Sequence, residues 1–240
     1  MLILALDTTN EMGGVGIFND AECLATAPNV GPANRYSVSL FEMAETVLVR
    51  AGLELRDIEL FAVANGPGSF TGIRIGLAAA RAWGKAFGKP VRGVSVLEAL
   101  VSKAGPNSEW ALPMLDARRG EFFLGAFRRT RQEGSEADER DYKLLDTGWV
   151  LKPEPMRSLL EKLVGNGASA TCLVRAHDEA TAALRPTLPT SLGWQRVEGP
   201  LVEAVASIAR RDLMEKSPCA DPQLDAYYLR RPDAEIHWKD

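Results

Sequence analysis

Two aspartates close apolar runs in this chain. Asp7 ends Leu2-Ile3-Leu4-Ala5-Leu6, and Asp116 ends Leu112-Pro113-Met114-Leu115. A carboxylate at the end of a buried strand, followed as Asp7 is by Thr8 and Thr9, is placed to hold a phosphate or a metal-bound water. The third candidate is glycine-rich, Asn65-Gly66-Pro67-Gly68-Ser69-Phe70-Thr71-Gly72-Ile73-Arg74-Ile75-Gly76. Its glycines reach backbone angles closed to other residues, and Ser69 or Thr71 suits the cap of a following helix, so its amides could meet an anion. The spacing fits neither common nucleotide pattern. The third glycine comes one residue late for G-x-G-x-x-G, and no Gly-Lys-Ser/Thr follows. The plainer alternative is a tight, well-capped turn. Beside Asp116, where a phosphate-binding lobe needs small residues, stand Arg118 and Arg119, for which local ion pairs with Asp116 and Glu121 are expected.

Other chemistry is thinly represented. His177 and His237 have no second His or Cys at ligand spacing, which argues against zinc and against Ser-His-Asp or Cys-His nucleophiles, and no cofactor is expected. Cys23, Cys172 and Cys219 are scattered, as free thiols in a reducing compartment would be. The N-terminal apolar run is too short for a signal peptide, and no run approaches the roughly 20 residues of a membrane span. The expected location is the cytoplasm. The 240 residues are 46% hydrophobic and 25% charged with a net charge of -4, so no overall basic field advertises nucleic acid.

Periodicity predicts the elements that position these residues. Strands are expected at Leu2–Leu6, Val15–Phe18 and Cys23–Ala27, then a helix over Tyr36–Ala51 capped by Gly52. A strand from Leu60 to Ala64, the glycine loop, a helix to Phe87, a strand at Val91–Val94 and a helix over Ser95–Lys103 complete a βββαβαβα order. After Ala104-Gly105-Pro106-Asn107-Ser108 the pattern returns. Leu112–Asp116 and Glu121–Phe127 echo the first two strands, Leu144–Val150 the third, and Glu154–Val164, Thr171–Val174 and Leu201–Glu215 the later elements. Arg128–Asp141 is charged enough to be read as an exposed loop. The expected units are an N-terminal lobe at 1–104, a degenerate second lobe at 105–217 and a tail at 218–240, packed at the terminus or partly extended at Asp225–Arg230.

At about 100° per residue, the helix after the glycine loop sets Arg74, Arg81 and Lys85 on one side. Gly72, Gly76, Ala79, Ala80, Trp83 and Phe87 fall opposite. The helix over Tyr36–Ala51 has its own stripe, Tyr36, Leu40, Met43, Ala44 and Val47, widened by Phe41 and Leu48. Two broad apolar arcs in one lobe point to a helix-pair surface for another subunit. On that reading Ala80→Arg disrupts partner binding and leaves the chain folded.

The strings LILALDTT, NGPGSFTGIRIGLAAARAW, VRGVSVLEAL, MLDARRGEFF and YYLRR resemble the TsaB (YeaZ) family. The resemblance covers residues 1–127 and returns at the tail. It implies a two-lobed, actin-like ASKHA fold. It also implies a non-catalytic scaffold that activates TsaD, the threonylcarbamoyltransferase acting on tRNA adenosine. TsaE is the implied third component, a homodimer forms when TsaD is absent, and tRNA is met indirectly, through the complex. The catalytic paralogue's H-x-x-x-H metal motif falls on Ser95–Leu100 here, with Val96 and Leu100 at the histidine positions. Many members open the first helix with His-Ser, where this chain has Tyr36-Ser37. Two rivals stay open: an ATP-dependent transferase or kinase using Asp7 and Asp116 around magnesium, and a peptidase.

Overall fold

A strand that is apolar on both faces must be covered on both, and Leu2–Asp7 (β1) takes the middle of the first sheet. It pairs antiparallel with Gly14–Asn19 (β2), which pairs in turn with Glu22–Pro28 (β3). Parallel neighbours need crossovers. Helix Tyr36–Ala51 (α1) precedes Leu60–Gly66 (β4), which lies parallel to β1. Helix Phe70–Phe87 (α2) then leads to Val91–Ser95 (β5), parallel to β4. The sheet order is β3-β2-β1-β4-β5. Gly52 ends α1 with φ 66°, the left-handed cap expected of it. The computed structural model describes residues 1–31, 35–130, 142–145, 148–165, 168–215 and 224–229.

After helix Val96–Ala104 (α3) the order is repeated. The strands are Trp110–Asp116 (β6), Phe122–Leu124 (β7), Phe127–Arg129 (β8), Tyr142–Leu144 (β9) and Trp149–Leu151 (β10). Helix Pro153–Val164 (α4), strand Ala170–Arg175 (β11), helix Asp178–Leu184 (α5), strand Gly193–Arg196 (β12) and helix Val202–Glu215 (α6) follow. The main path of the second sheet is β10-β7-β6-β11-β12, with β8 and β9 attached to it through β6. The first strand of the repeat is again central, its second and third strands lie antiparallel on one side, and its fourth and fifth lie parallel on the other. The duplication is therefore a repeat of topology and direction, and the fold is the expected two-lobed ASKHA arrangement.

Four elements differ from the sequence pattern. The stretch Leu144–Val150 is not one strand, because Tyr142–Leu144 pairs with β8 while Trp149–Leu151 pairs with β7. Helix α5 and strand β12 are short and partly exposed, so neither carries an apolar period long enough to announce itself. The charged loop begins later than its composition suggests, since Arg128 and Arg129 belong to β8, and 131–141 lie outside the described residues.

Packing groups the chain into two units. One gathers Met1–Ala99 and, among the described residues downstream, those from Glu198 to Tyr228; the other runs from Leu100 to Val197 and includes Leu229. Helix α6, last in the second repeat, packs on β1, β2, β4 and β5. The first core is built from Leu4, Leu6, Val15, Ile17, Phe61 and Val63 under α1 and α2. The second is built from Trp110, Leu112, Met114, Leu124, Cys172 and Val174 under α4. No helix among the described residues is long and apolar enough to cross a membrane.

Burial pushes the Cys172 thiol up to about 12, whereas Cys23 lies exposed on β3. In a Cys219→Ser background, an aromatic disulfide reagent at pH 8 is expected to titrate Cys23 alone in the native protein and both thiols in guanidinium. Prompt native reaction of Cys172 would show that the second core opens readily.

Candidate functional site: the glycine corner and the helix pair

The apolar run of β1 delivers Asp7, Thr8 and Thr9 to a corner with no exposure at all. Asp7 spends its carboxylate locally, with Oδ1 accepting from the Thr9 amide at 3.1 Å and from the Thr9 hydroxyl at 2.6 Å. The Thr8 hydroxyl donates to the Gly72 carbonyl at 2.7 Å, and the Ser69 amide donates to the Thr9 carbonyl at 2.7 Å. Ser69 caps α2, accepting from the Gly72 amide at 3.3 Å. Helix α2 thus lies directly on the β1 turn. A Cβ on Gly72 would fall 2.0 Å from the Thr8 carbonyl oxygen, and one on Gly76 would fall 2.4 Å from the Thr8 hydroxyl oxygen. Gly72 is where it is because it meets the Thr8 backbone, and Gly76 because it meets the Thr8 hydroxyl, so no side chain fits between α2 and the β1 turn.

The second lobe repeats the turn with a different outcome. Asp116, only partly buried, accepts from the Arg118 amide at 2.6 Å, as Asp7 accepts from Thr9. Its contact with Arg118 is made by the backbone, not by the guanidinium expected to pair with it. Arg118 and Arg119 hold left-handed φ values of 62° and 57°, ahead of Gly120 at 70°, and both side chains are exposed. Val96 and Leu100, at the positions of the transferase histidines, are fully buried on α3.

The helix residues singled out as a partner face lie elsewhere than expected. Tyr36, Leu40, Met43, Ala44 and Val47 of α1 are buried in the first core, as are Ala79 and Ala80 of α2, while Gly72 and Gly76 are buried against Thr8. Tyr36 donates its hydroxyl to the Asn10 carbonyl at 2.6 Å and so holds the turn after β1. Only Trp83 is half-exposed, at the edge of that core. The physical reason is general: the strongest apolar stripe of an amphipathic helix is claimed first by its own sheet. The apolar side chains left open on the facing edges of the two helices lie at the margins of the stripes. Phe41 is 54% exposed and meets Trp83 edge-to-face with ring centroids 5.9 Å apart; Val38 is 64% and Phe87 38% exposed. Val38 precedes Phe41 by three residues and Phe87 follows Trp83 by four, so each pair shares a helix face. The signal that could have found them is an apolar residue out of period.

The tail segment from Leu224 packs on α2. The Tyr227 amide donates to the Asn65 carbonyl at 2.8 Å, and the Asn65 side chain donates to the Asp225 carbonyl at 3.2 Å. Arg81 reaches the Leu224 carbonyl and the Asp225 carboxylate. Arg74 donates from Nε to the Tyr228 hydroxyl at 3.1 Å while lying over the Phe70 ring at 3.6 Å. Residues 224–228 are thus packed, as one of the two sequence readings expects, and 230–240 lie outside the described residues.

Fold and corner together define an ASKHA-class protein in which the glycine loop of the first lobe is closed on its own chain. Residues 29–172 match the family model of TsaD, tRNA N6-adenosine threonylcarbamoyltransferase. The tRNA threonylcarbamoyladenosine biosynthesis protein TsaB of Escherichia coli K12 is 31% identical over 167 residues, 69% of this chain and 68% of that protein. The protein of the same name from Haemophilus influenzae is 25% identical over 100% of this chain and 96% of its own length. The fold is shared with YeaZ from Pseudomonas aeruginosa, at a TM-score of 0.71 and 22% identity, covering 95% of this chain and 99% of that one. The chain belongs to the TsaB (YeaZ) family.

Substituting Gly72→Ala is expected to destabilise the fold by about 1–3 kcal/mol, the usual cost of overpacking a site that cannot give way. Urea unfolding followed by circular dichroism reads the effect, and an unchanged midpoint would mean that the corner is looser than its geometry. Ala80→Arg, with Ala80 wholly buried, is expected to fail as a surface probe and to lower the yield of folded protein.

Proposed function

We propose that the chain is a non-catalytic subunit that binds and activates a TsaD-type threonylcarbamoyltransferase in forming threonylcarbamoyladenosine on tRNA. The observation that carries this reading is the filled corner. Thr8, Gly72 and Gly76 pack so closely that no side chain fits between the β1 turn and α2, and on this reading the lobe keeps its architecture without using its aspartate for chemistry. Support also comes from Val96 and Leu100, apolar where the transferase motif has ligands, and from the names of the relatives. Helices α1 and α2 are the proposed docking surface, with contact through Val38, Phe41, Trp83 and Phe87 and with the buried stripe Tyr36, Leu40, Met43, Ala44, Val47, Gly72, Gly76, Ala79 and Ala80 fixing their angle.

Activation needs no bond made or broken on this chain. A subunit that binds the active arrangement of the transferase more tightly than the inactive one shifts the population toward it. The same surface pairs two copies of the chain when the transferase is absent. TsaE, an ATPase, is the third component of the proposed complex, and the complex works in the cytoplasm. The rival reading, an ATP-dependent enzyme built on Asp7 and Asp116, has less support, because the Asp7 carboxylate is fully buried and held by Thr9.

Phe41→Arg is expected to weaken association with the transferase roughly tenfold or more, the loss of about 1.4 kcal/mol or more that truncating a contact anchor brings. Circular dichroism should be unchanged, because the side chain is mostly exposed. Calorimetry reads the affinity, and equal affinity in the folded variant rejects the docking surface. Formation of the modified nucleoside by TsaD and TsaE without this chain would reject the scaffold role itself.

A further inference from the structure

The outer face of α2 has a composition unlike that of the whole protein. The sequence FTGIRIGLAAARAWGKAF contains three cations and no carboxylate, in a chain of net charge -4. Arg74, Arg81 and Lys85 are all exposed on that face, spaced by seven and four residues, or about 10 and 6 Å along the axis. Ala78 and Ala82 lie exposed between them, so a ligand backbone can come close to the helix. The tail then adds an aromatic wall. Tyr228 stacks on Phe70 with centroids 4.8 Å apart, and the Arg74 guanidinium lies over Phe70. Between helix and tail runs an open groove of about 470 Å³, floored by Leu77, Ala78 and Ala226 and flanked by Arg74, Arg81 and Tyr228.

We infer that this groove and the basic face beyond it dock a single-stranded RNA segment. A base stacks against Tyr228, and successive phosphates meet Arg74, Arg81 and Lys85. The inference rests on the proposed role in tRNA modification, but it uses a face of α2 that the helix-pair surface does not. Stacking on aromatic rings beside guanidinium groups tolerates any base, and phosphates suit a cationic edge; together they give binding without sequence preference. Among the described residues the one carboxylate at the groove, Asp225, is paired with Arg81 at 3.3 Å. Among the described residues, Lys85 and the terminal nitrogens of Arg74 make no ion pair or hydrogen bond, and they are the cations that a phosphate meets first. An acidic protein segment is the competing occupant. The aromatic stack favours RNA, since a peptide carboxylate needs only the cations.

The test is fluorescence anisotropy with labelled tRNA, using the full chain alone and mixed with the transferase, across a range of salt concentrations. Arg74→Ala combined with Lys85→Ala is expected to weaken RNA binding about tenfold and to reduce the log–log salt slope by about 1.4, the loss of two phosphate contacts to a single strand. Tyr228→Ala should weaken it several-fold, and Tyr228→Phe, which keeps the stack, should not. Unchanged affinity and slope in both settings overturn the inference. So does a loss of transferase binding with RNA affinity intact, which would assign the groove to an acidic protein segment. If instead Phe41→Arg leaves transferase binding untouched while the RNA effects persist, the helix-pair reading falls and this one stands.

Discussion

The first lobe depends on one close contact, the seat of α2 on Thr8. The hydroxyl of Thr8 donates to the Gly72 carbonyl, and the two chains come so near that neither Gly72 nor Gly76 has room for a methyl group. A hydroxyl buried this deeply needs an acceptor within the protein, and the Gly72 carbonyl supplies it. The contact sets the height of α2 over β1 and β4 and thereby the direction of each of its faces. With the inner face sealed, whatever α2 offers to another molecule comes from its sides.

Those sides differ in chemistry for reasons visible in their neighbours. Toward α1, Trp83 is wedged between Phe61 below and Phe41 beside it, so an apolar edge stays open to solvent. Away from α1, the tail crosses the helix and is held by Arg81 and Asn65, which turns a row of cations into the wall of a groove. The same helix therefore carries an apolar edge suited to protein and a cationic, aromatic edge suited to phosphate and base.

Much of the fold was legible because the first repeat follows its own periodicity. The two-sided apolar run of β1, the Gly52 cap and the stripe on α1 each had a single reading. The second repeat was less legible where its elements are short. Four residues of β12 and seven of α5 carry no period, and β8 with β9 interrupts the echo with an added hairpin. For the proposed site, the extents of the two helices could be read, but which of their faces is buried could not. Small residues in a helix permit close approach without saying of what, and here the approaching partner is the turn of β1. Val38 lacked signal because it lies outside the stripe that periodicity rewards, whereas Phe41 was legible only as a residue that widens it.

The turn shared by Asp7 and Asp116 shows what becomes of a catalytic-looking residue when its surroundings change. Each carboxylate accepts the amide two residues on, so the local geometry of the duplication persists in both lobes. In the first lobe the following threonine closes the carboxylate and α2 closes the space; in the second, two arginines leave in left-handed conformation toward solvent. An aspartate at the end of a strand is thus a mark of the repeated topology. Its surroundings differ between the repeats: after Asp7 the Thr8 hydroxyl is taken by the Gly72 carbonyl of α2, and after Asp116 the chain turns outward through Arg118 and Arg119.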